Sequence, residues 1–452
     1  MGEHSTPTSC GGSAAVLHSF LNANPEVEFI QCSFMDYSSV LRVRVLTKYF
    51  VLSLAEKNSP LSIQAPILTA GLVDGTVMLE DVDIGADDVF PDWSSLKALP
   101  HQPSYANVMC FVREGGMFDG KGFRRCPRTR LREFTESTKQ NHDLEFLVGL
   151  EIEFYIMEAS KDVLPTGPVN TNKATFSSAS YRNAYIPILE EIVQALAKVG
   201  IMVRQFHTEG GSGFFEISTE PMPPLQAADS LIYSQETIKT ICFSHGLHAT
   251  MHPKPFEKLG GCGSHMHLSI SRTEKEESFL AGILESWTAL AAFYMPNFDS
   301  YARVTPGEGA QWVFWSLSNR SAAIRKIKSG HWELRAVDAI ANPYLTLLAI
   351  LTAGMLGFEN GQELTMKDPK KFLYPGIEGE KALEKDMGKY GIKEKNATSL
   401  KDALELLKKD DRLVEALGPE IMDRYLKVKT KEEENFSKMT RPERMELMVR
   451  MF

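Results

Sequence analysis

Four short stretches of this chain place acids, imidazoles and guanidiniums at spacings that let them act together. In Gly149-Leu150-Glu151-Ile152-Glu153-Phe154-Tyr155 the apolar and β-branched content reads as a strand. Residues i and i+2 of a strand share a face, so Glu151 and Glu153 project side by side. Like charges so placed repel unless water or a cation relieves them. In His207-Thr208-Glu209-Gly210-Gly211-Ser212-Gly213-Phe214-Phe215-Glu216 a glycine-rich bend separates two acids seven residues apart. Such a bend can turn both acids toward one point. In Gly261-Cys262-Gly263-Ser264-His265-Met266-His267-Leu268-Ser269 two histidines again share a strand face. Finally Asn319-Arg320-Ser321-Ala322-Ala323-Ile324-Arg325 precedes His331-Trp332-Glu333-Leu334-Arg335 and Ala341-Asn342-Pro343-Tyr344. Arginine matches phosphate and carboxylate oxygens bidentately and keeps its charge. A further arginine, Arg303, stands before the loop Val304-Thr305-Pro306-Gly307-Glu308-Gly309. Taken singly, each pattern also fits a solvated strand face, a hairpin loop, a satisfied core histidine or a structural ion pair.

These groups need rigid elements to aim them. Val27–Phe34, Val40–Leu46, Thr76–Val82 and Ala106–Val112 read as strands, with Asp36-Tyr37-Ser38-Ser39 as a polar turn between the first two. Residues 115–125 read as a linker. Ile186–Val199 and Gln226–His245 have helical periodicity and end at Gly200 and Gly246. Tyr344–Phe358 is an apolar run too short to span a bilayer and reads as a buried helix. Ser399–Phe452 reads as charged amphipathic helices. The expected organisation is a flexible tail over 1–13, a small strand-rich domain over 14–114 and a larger domain over 115–452.

Composition narrows the partners. A net charge of −9 over 452 residues argues against a nucleic-acid partner, whose backbone needs clustered Lys and Arg. The six cysteines are scattered without a C-x-x-C pair, which suits reduced thiols in the cytoplasm. No membrane partner and no signal peptide are expected. The short pattern Met1-Gly2 to Thr6 matches an acylation signal loosely, and one acyl chain anchors only weakly.

The ordered set G-x-E-x-E, H-x-E with a glycine loop and a second E, G-x-G-x-H-x-H, R-x-x-P-G, N-R-S-x-x-x-R, E-x-R and N-P-Y resembles the glutamine synthetase family. Within it the chain is most similar to the fungal glutamine-synthetase-like branch. The resemblance implies an α+β fold: an N-terminal β-grasp domain and a catalytic domain whose antiparallel strands form a half-barrel flanked by helices. It implies homo-oligomeric rings with active sites shared between neighbours. It assigns Glu153, Glu209 and Glu216 to one divalent cation, and Glu151, His265 and Glu333 to a second, with Mg²⁺ or Mn²⁺ as the ions. Arg303 and Arg335 fall where the glutamate carboxylates are held, with Gly261 beside them. Arg320 and Arg325 match the phosphoryl clamp. His267, Ser269, Lys328 and Arg325 fall where ATP is contacted.

The departures from the family sit on the ammonia side. The flap glutamate position is Gly309, with Glu308 one residue early as the candidate base. The loop that carries an ammonium-binding aspartate reads Leu61-Ser62-Ile63-Gln64-Ala65-Pro66, without an acid. A usual glutamine is Phe214, and a usual asparagine is Gly260. The expectation is an ATP-dependent ligase that joins glutamate to an organic amine through an acyl phosphate. An ammonia-using glutamine synthetase and a non-catalytic scaffold are the alternatives.

Overall fold

In the computed structural model, residues 14–78, 85–115, 122–159, 167–304, 311–369 and 387–452 are described. The candidate residues Glu308 and Gly309 and the tail over 1–13 lie outside them.

The first sheet comprises β1 (Phe29–Met35), β2 (Leu41–Thr47), β3 (Leu61–Ala65), β4 (Gly85–Pro91), β5 (Lys97–Ala98) and β6 (Tyr105–Arg113). Its order is β2-β1-β6-β4-β3, with β5 also on β6. The β1–β6 pair is parallel and the others antiparallel. The polar turn after β1 is built by Asp36, whose Oδ1 accepts from the backbone N–H of Ser38 and of Val40, each at 2.9 Å. Leu61–Ala65, read above as a loop, is instead an edge strand. Its Leu-Ser-Ile-Gln-Ala alternation buries Leu61, Ile63 and Ala65 and exposes Ser62 and Gln64, the period-2 pattern of a half-buried strand. Of Thr76–Val82, the described residues 76–78 form no strand. Val77 makes one isolated bridge to Gly71, and 79–82 lie outside the described residues.

The second sheet carries the chemistry. Its strands are β7 (Phe146–Glu158), β8 (Val203–Thr208), β9 (Phe214–Thr219), β10 (Leu247–Thr250), β11 (Ser264–Ile270), β12 (Trp315–Ser316), β13 (Ile324–Lys328) and β14 (His331–Leu334). Their order is β12-β13-β14-β11-β7-β9-β8, with β10 on the far end of β7. β7 is antiparallel to β11, β9 and β10. Helices Ile186–Lys198 and Pro224–Ser244 form where their periodicity places them. Helix Pro343–Asn360 is buried along almost its whole length and ends at Gly361, whose φ of +60° suits glycine. In Leu400–Lys409 the buried residues Leu400, Ala403, Leu404 and Leu407 recur at helical spacing, with lysines outward. No helix among the described residues is long and apolar enough to cross a membrane.

The two sheets are joined through buried charge. Arg128, on helix Pro127–His142, donates from Nη2 to Asp92 Oδ2 at 2.8 Å and to Asp229 Oδ2 at 2.7 Å, and from Nε to Asp229 Oδ1 at 3.0 Å. Tyr344 Oη donates to the same Asp229 Oδ1 at 2.6 Å. The Arg128 guanidinium also lies over the Phe111 ring, 4.3 Å from its centre. The N-P-Y motif belongs to this junction. Asn342 Oδ1 caps its helix by accepting from Tyr344 N and Leu345 N, and its Nδ2 donates to the Asp36 carbonyl at 3.0 Å. One continuous apolar core runs through residues of both sheets and the C-terminal helices.

Candidate active site

Strand register builds the site. Glu151 stands opposite His265 across β7–β11, and Glu153 opposite Glu216 across β7–β9. Glu216 stands opposite His207 across β8–β9, and Glu333 opposite His267 and Arg325 across its two neighbours. Directly opposed residues lie about 5 Å apart on the same face. A row of polar side chains therefore crosses one face of the sheet from β8 to β13. The glycine bend before β9 returns Glu209 to this row. Gly213, at φ +68°, makes the bend possible: a β-carbon there would sit 2.7 Å from the Ile156 carbonyl.

The side chains meet as this register requires. His265 Nδ1 is 3.1 Å from Glu151 and 3.9 Å from Glu333, while its Nε2 is 3.8 Å from Glu153. His207 Nε2 is 3.2 Å from Glu216 Oε1, and its Nδ1 is 3.3 Å from Glu209. Ser218 Oγ donates to Glu216 at 3.0 Å, and Gly263 N to Glu153 at 2.6 Å. Arg325 and Arg335 both pair with the fully buried Glu333. His267 bridges Glu151, 3.0 Å from Nε2, and His331, 3.0 Å from Nδ1.

Such crowding moves proton affinities. Burial would raise the Glu151 carboxyl, but hydrogen bonds with His265 and His267 hold it well below the usual range. Burial opposes ionisation of Glu333 as well, and Arg335 and His265 more than compensate, so its carboxyl is lowered. Glu209 goes the other way. Burial, then the charges of Glu153 and Glu216, push it up to about 7.

Three groups of donors each bring one ligand atom within 4.8 Å of one another: Glu151, His265 and Glu333; Glu153, Glu216 and His265; His207, Glu209 and Glu216. An oxygen-rich set with one or two imidazoles fits Mg²⁺ or Mn²⁺. All six acids and histidines assigned to metal from the sequence are among them. His207 joins them without having been assigned a role, although its i, i+2 spacing from Glu209 carried the signal.

Raised Glu209 gives the site a pH signature. An acid whose affinity for its proton is higher folded than unfolded stabilises the fold fully below its ordinary value, and that contribution is lost as pH rises through about 7. A cation bound there would replace the proton, so stabilisation by Mn²⁺ should grow across that window. The thermal midpoint with and without Mn²⁺, at roughly pH 5.5 and roughly pH 8, measures this. The Mn²⁺-induced shift is expected to be larger at the higher pH and to lose part of that pH dependence in Glu209→Gln; the remainder belongs to His207 and His265, which their acidic neighbours raise against the effect of burial. A wild-type shift independent of pH contradicts the assignment.

The other assigned residues surround this row. Arg303, half-buried, donates to the carbonyls of Ala336 and Val337 at 3.4 and 3.3 Å. Its side chain packs against both glycines of the G-x-G motif. A β-carbon on Gly261 would stand 2.6 Å from the Pro253 carbonyl and 2.7 Å from Arg303 Cγ, and one on Gly263 would stand 2.6 Å from Arg303 Nη2. Arg320 is exposed, and its carbonyl accepts from Arg335 Nε at 2.9 Å. Lys328 is exposed at the end of β13. Ser269 lines a cavity of about 590 Å³ together with Leu147, Pro223, Leu225 and Ile270. Leu147 and Ser269 are opposed in the β7–β11 register, on the same face as Glu151 and His265. The cavity therefore continues the polar row into an apolar recess.

Two of the departures prove to be coupled. Phe214 does not line an open pocket. Its ring stacks on Tyr155, with centres 4.4 Å apart and planes 5° from parallel, and only 5% of it is exposed. Phe256 closes edge-on against the same tyrosine. Tyr155 Oη donates to the Gly260 carbonyl at 3.0 Å, and a β-carbon on Gly260 would stand 3.1 Å from the Phe214 ring. The aromatic residue at 214 thus takes the space that a side chain at 260 would need.

Residues 124–448 match the family model described as glutamine synthetase, catalytic domain, and the chain belongs to the glutamine synthetase family of ligases. Protein fluG of Emericella nidulans is 33% identical over 97% of this chain, which spans half the length of that protein. The gamma-glutamylpolyamine synthetase GlnA3 of Streptomyces coelicolor is 26% identical, with 89% of each chain covered. A solved GmaS/ADP complex superposes with a TM-score of 0.76 at 25% identity, covering 95% of this chain and 98% of the other.

Proposed function

We propose that this chain is an ATP-dependent ligase that joins the side-chain carboxylate of glutamate to an organic amine. The observation that carries this is the row of three donor groups on one sheet face, flanked by arginines and an apolar recess. On this reading Glu151, Glu153, Glu209, Glu216, His265 and Glu333 hold Mg²⁺ or Mn²⁺, with His207 beside them. When bound, such cations neutralise phosphate oxygens and orient the reactants.

Arg303 and Arg335 hold the carboxylates of glutamate. A γ-carboxylate oxygen attacks the terminal phosphoryl of ATP, ADP departs, and an acyl phosphate forms. Arg320 and Arg325 spread the charge of the transferring group. His267, Ser269 and Lys328 contact the nucleotide, and the recess beyond Ser269 suits its base. The amine then attacks the activated carbonyl, phosphate leaves, and Glu308 is the candidate acceptor of the amine's proton. Assembly into a ring of subunits accords with the exposed Val43 and Val45 on the edge strand β2.

The organic amine is favoured by the missing acids at Ile63–Gln64 and Gly309, since binding ammonium means replacing its hydration with fixed acceptors. The name of the Streptomyces relative supports the same choice. The test is an amine screen with ATP and glutamate, reading phosphate release and product mass. A primary alkylamine is expected to exceed ammonia in kcat/KM, and Gly309→Glu to shift the preference toward ammonia. A second reading, an ordinary glutamine synthetase, is favoured by the matched family model. Ammonia turnover better than that of every amine would decide for it.

A further inference from the structure

Arg303 stands at the end of a six-residue 3₁₀ turn, Phe298–Arg303. Such turns have poor hydrogen-bond geometry and rarely run beyond about three or four residues, so this one needs support from outside. Its entry is fixed by Asn297, whose Oδ1 accepts from Asp299 N at 3.1 Å and whose N–H donates to Ser300 Oγ at 3.1 Å. The rest of the support comes from the far end of the chain. Arg444, on helix Arg441–Met451, donates from Nε to both carboxylate oxygens of Asp299 at 3.1 Å, and its Nη2 stands 3.0 Å from Oδ1. Its Nη1 donates to the Met439 carbonyl at 2.8 Å, and its guanidinium lies over the Phe298 ring, 4.5 Å from the centre. All three nitrogens are thus committed, and both side chains of the pair are only 11% exposed.

His252, fully buried, backs the same carboxylate. Its Nδ1 accepts from Lys254 N at 3.0 Å, which leaves the hydrogen on Nε2, 3.8 Å from Asp299 Oδ2. Burial would raise the Asp299 carboxyl, but His252 and Arg444 hold it below the usual range. The helix that carries Arg444 is itself tied down: His248 Nε2 donates to the Val449 carbonyl at 2.8 Å, and Asn297 Nδ2 to Met448 Sδ at 3.6 Å. At the other end of the turn, the aliphatic part of Arg303 is packed on Gly261, so a shift of the turn is passed on to its guanidinium.

We propose that Arg444 is a positioning residue: by clamping Asp299 it fixes the turn that aims the Arg303 guanidinium at a substrate carboxylate. The proposal rests on the ligase reading above, in which Arg303 holds glutamate. A carboxylate must be held in the ground state and the transition state alike. Loss of aim therefore raises KM for glutamate and leaves kcat nearly unchanged. KM for ATP, which on the same reading meets His267, Ser269 and Lys328, is not affected.

The experiment measures KM for glutamate, KM for ATP and kcat in wild type, Arg444→Met, Arg444→Lys, Asp299→Asn and the double variant Arg444→Met/Asp299→Asn, with the acceptor that the amine screen selects. Arg444→Met should raise KM for glutamate about tenfold, as a remote change that misplaces a binding group does. KM for ATP and kcat should stay within about twofold of wild type. Arg444→Lys keeps the charge but not the fork and should fall between the two; it also carries the test if the methionine variant does not fold. The double variant should be no worse than the poorer single one, because both remove the same clamp. Calorimetric binding of glutamate with Mg²⁺ and ADP supplies a readout without turnover and should weaken in step. Glutamate that binds through Arg444 in a chain that turns over neither amine nor ammonia sinks the ligase reading and leaves the clamp standing. A KM for glutamate, or failing turnover an affinity, that is the same in wild type and the Arg444 variants overturns the clamp. So do KM values for glutamate and ATP that rise together, single-variant effects that add in the double variant, and a wild type that neither uses nor binds glutamate.

Discussion

Glu216→Gln should lower kcat/KM by at least a thousandfold, about 4 kcal/mol of transition-state stabilisation, and weaken Mn²⁺ binding in parallel. Glu216 stands in two of the three donor groups, opposite Glu153 on one side and His207 on the other. It is 5% exposed, so water makes a poor substitute. The amide keeps the volume and can still pair with Ser218 and His207, which keeps the fold intact. What it removes is the negative charge that a hard cation needs. Calorimetric titration of Mn²⁺ into wild type and variant, beside single-turnover phosphate release, separates the two effects. A variant that binds Mn²⁺ as tightly as wild type would show that Glu216 is a structural acid.

Arg128→Met should destabilise the fold by about 3–5 kcal/mol, the usual effect of breaking a buried pair by removing one partner. The guanidinium is buried and satisfies Asp92 and Asp229 together, and Asp229 also accepts from Tyr344. Removing it leaves two buried carboxylates facing each other without a cation. The methionine fills much of the volume, so the loss reports charge rather than a cavity. Urea denaturation monitored separately by tryptophan emission and by circular dichroism tests this, with Arg128→Met/Asp92→Asn/Asp229→Asn as the control that restores neutrality. The triple variant is expected to recover part of the loss. Equal stability of Arg128→Met and wild type would mean that water reaches the junction and the network does not join the two sheets.

The elements that present the site were legible because their periods are short. Alternation in 149–155 puts Glu151 and Glu153 on one face, and the same reasoning aligns His265 with His267. The helices around residues 190 and 235 were equally visible from periodicity and terminal glycines, and the one around 350 from its apolar run. Features that depend on distant partners were not. Asn342-Pro343-Tyr344 looked like part of the chemistry, yet Asn342 is a helix cap tied to Asp36, 306 residues away. Arg128 carried no local signal, because its partners lie 36 and 101 residues off. Phe214 and Gly260 read as two separate losses, and only their contact in space makes them one exchange.

β7 is the strand against which β9, β10 and β11 are all aligned, and it contributes two of the glutamates. Side chains on a strand alternate, so adding or deleting one residue within Phe146–Glu158 would exchange its faces. Ile152 and Phe154 would be delivered to the polar row, and Glu151 and Glu153 to the core. Three neighbouring strands would lose their alignment in the same event. Evolution can therefore explore this strand one substitution at a time but not one length at a time, whereas a surface loop is open to both. Changes of length are thus easiest in such loops, while the strand that presents Glu151 and Glu153 is held to a reading frame of its own.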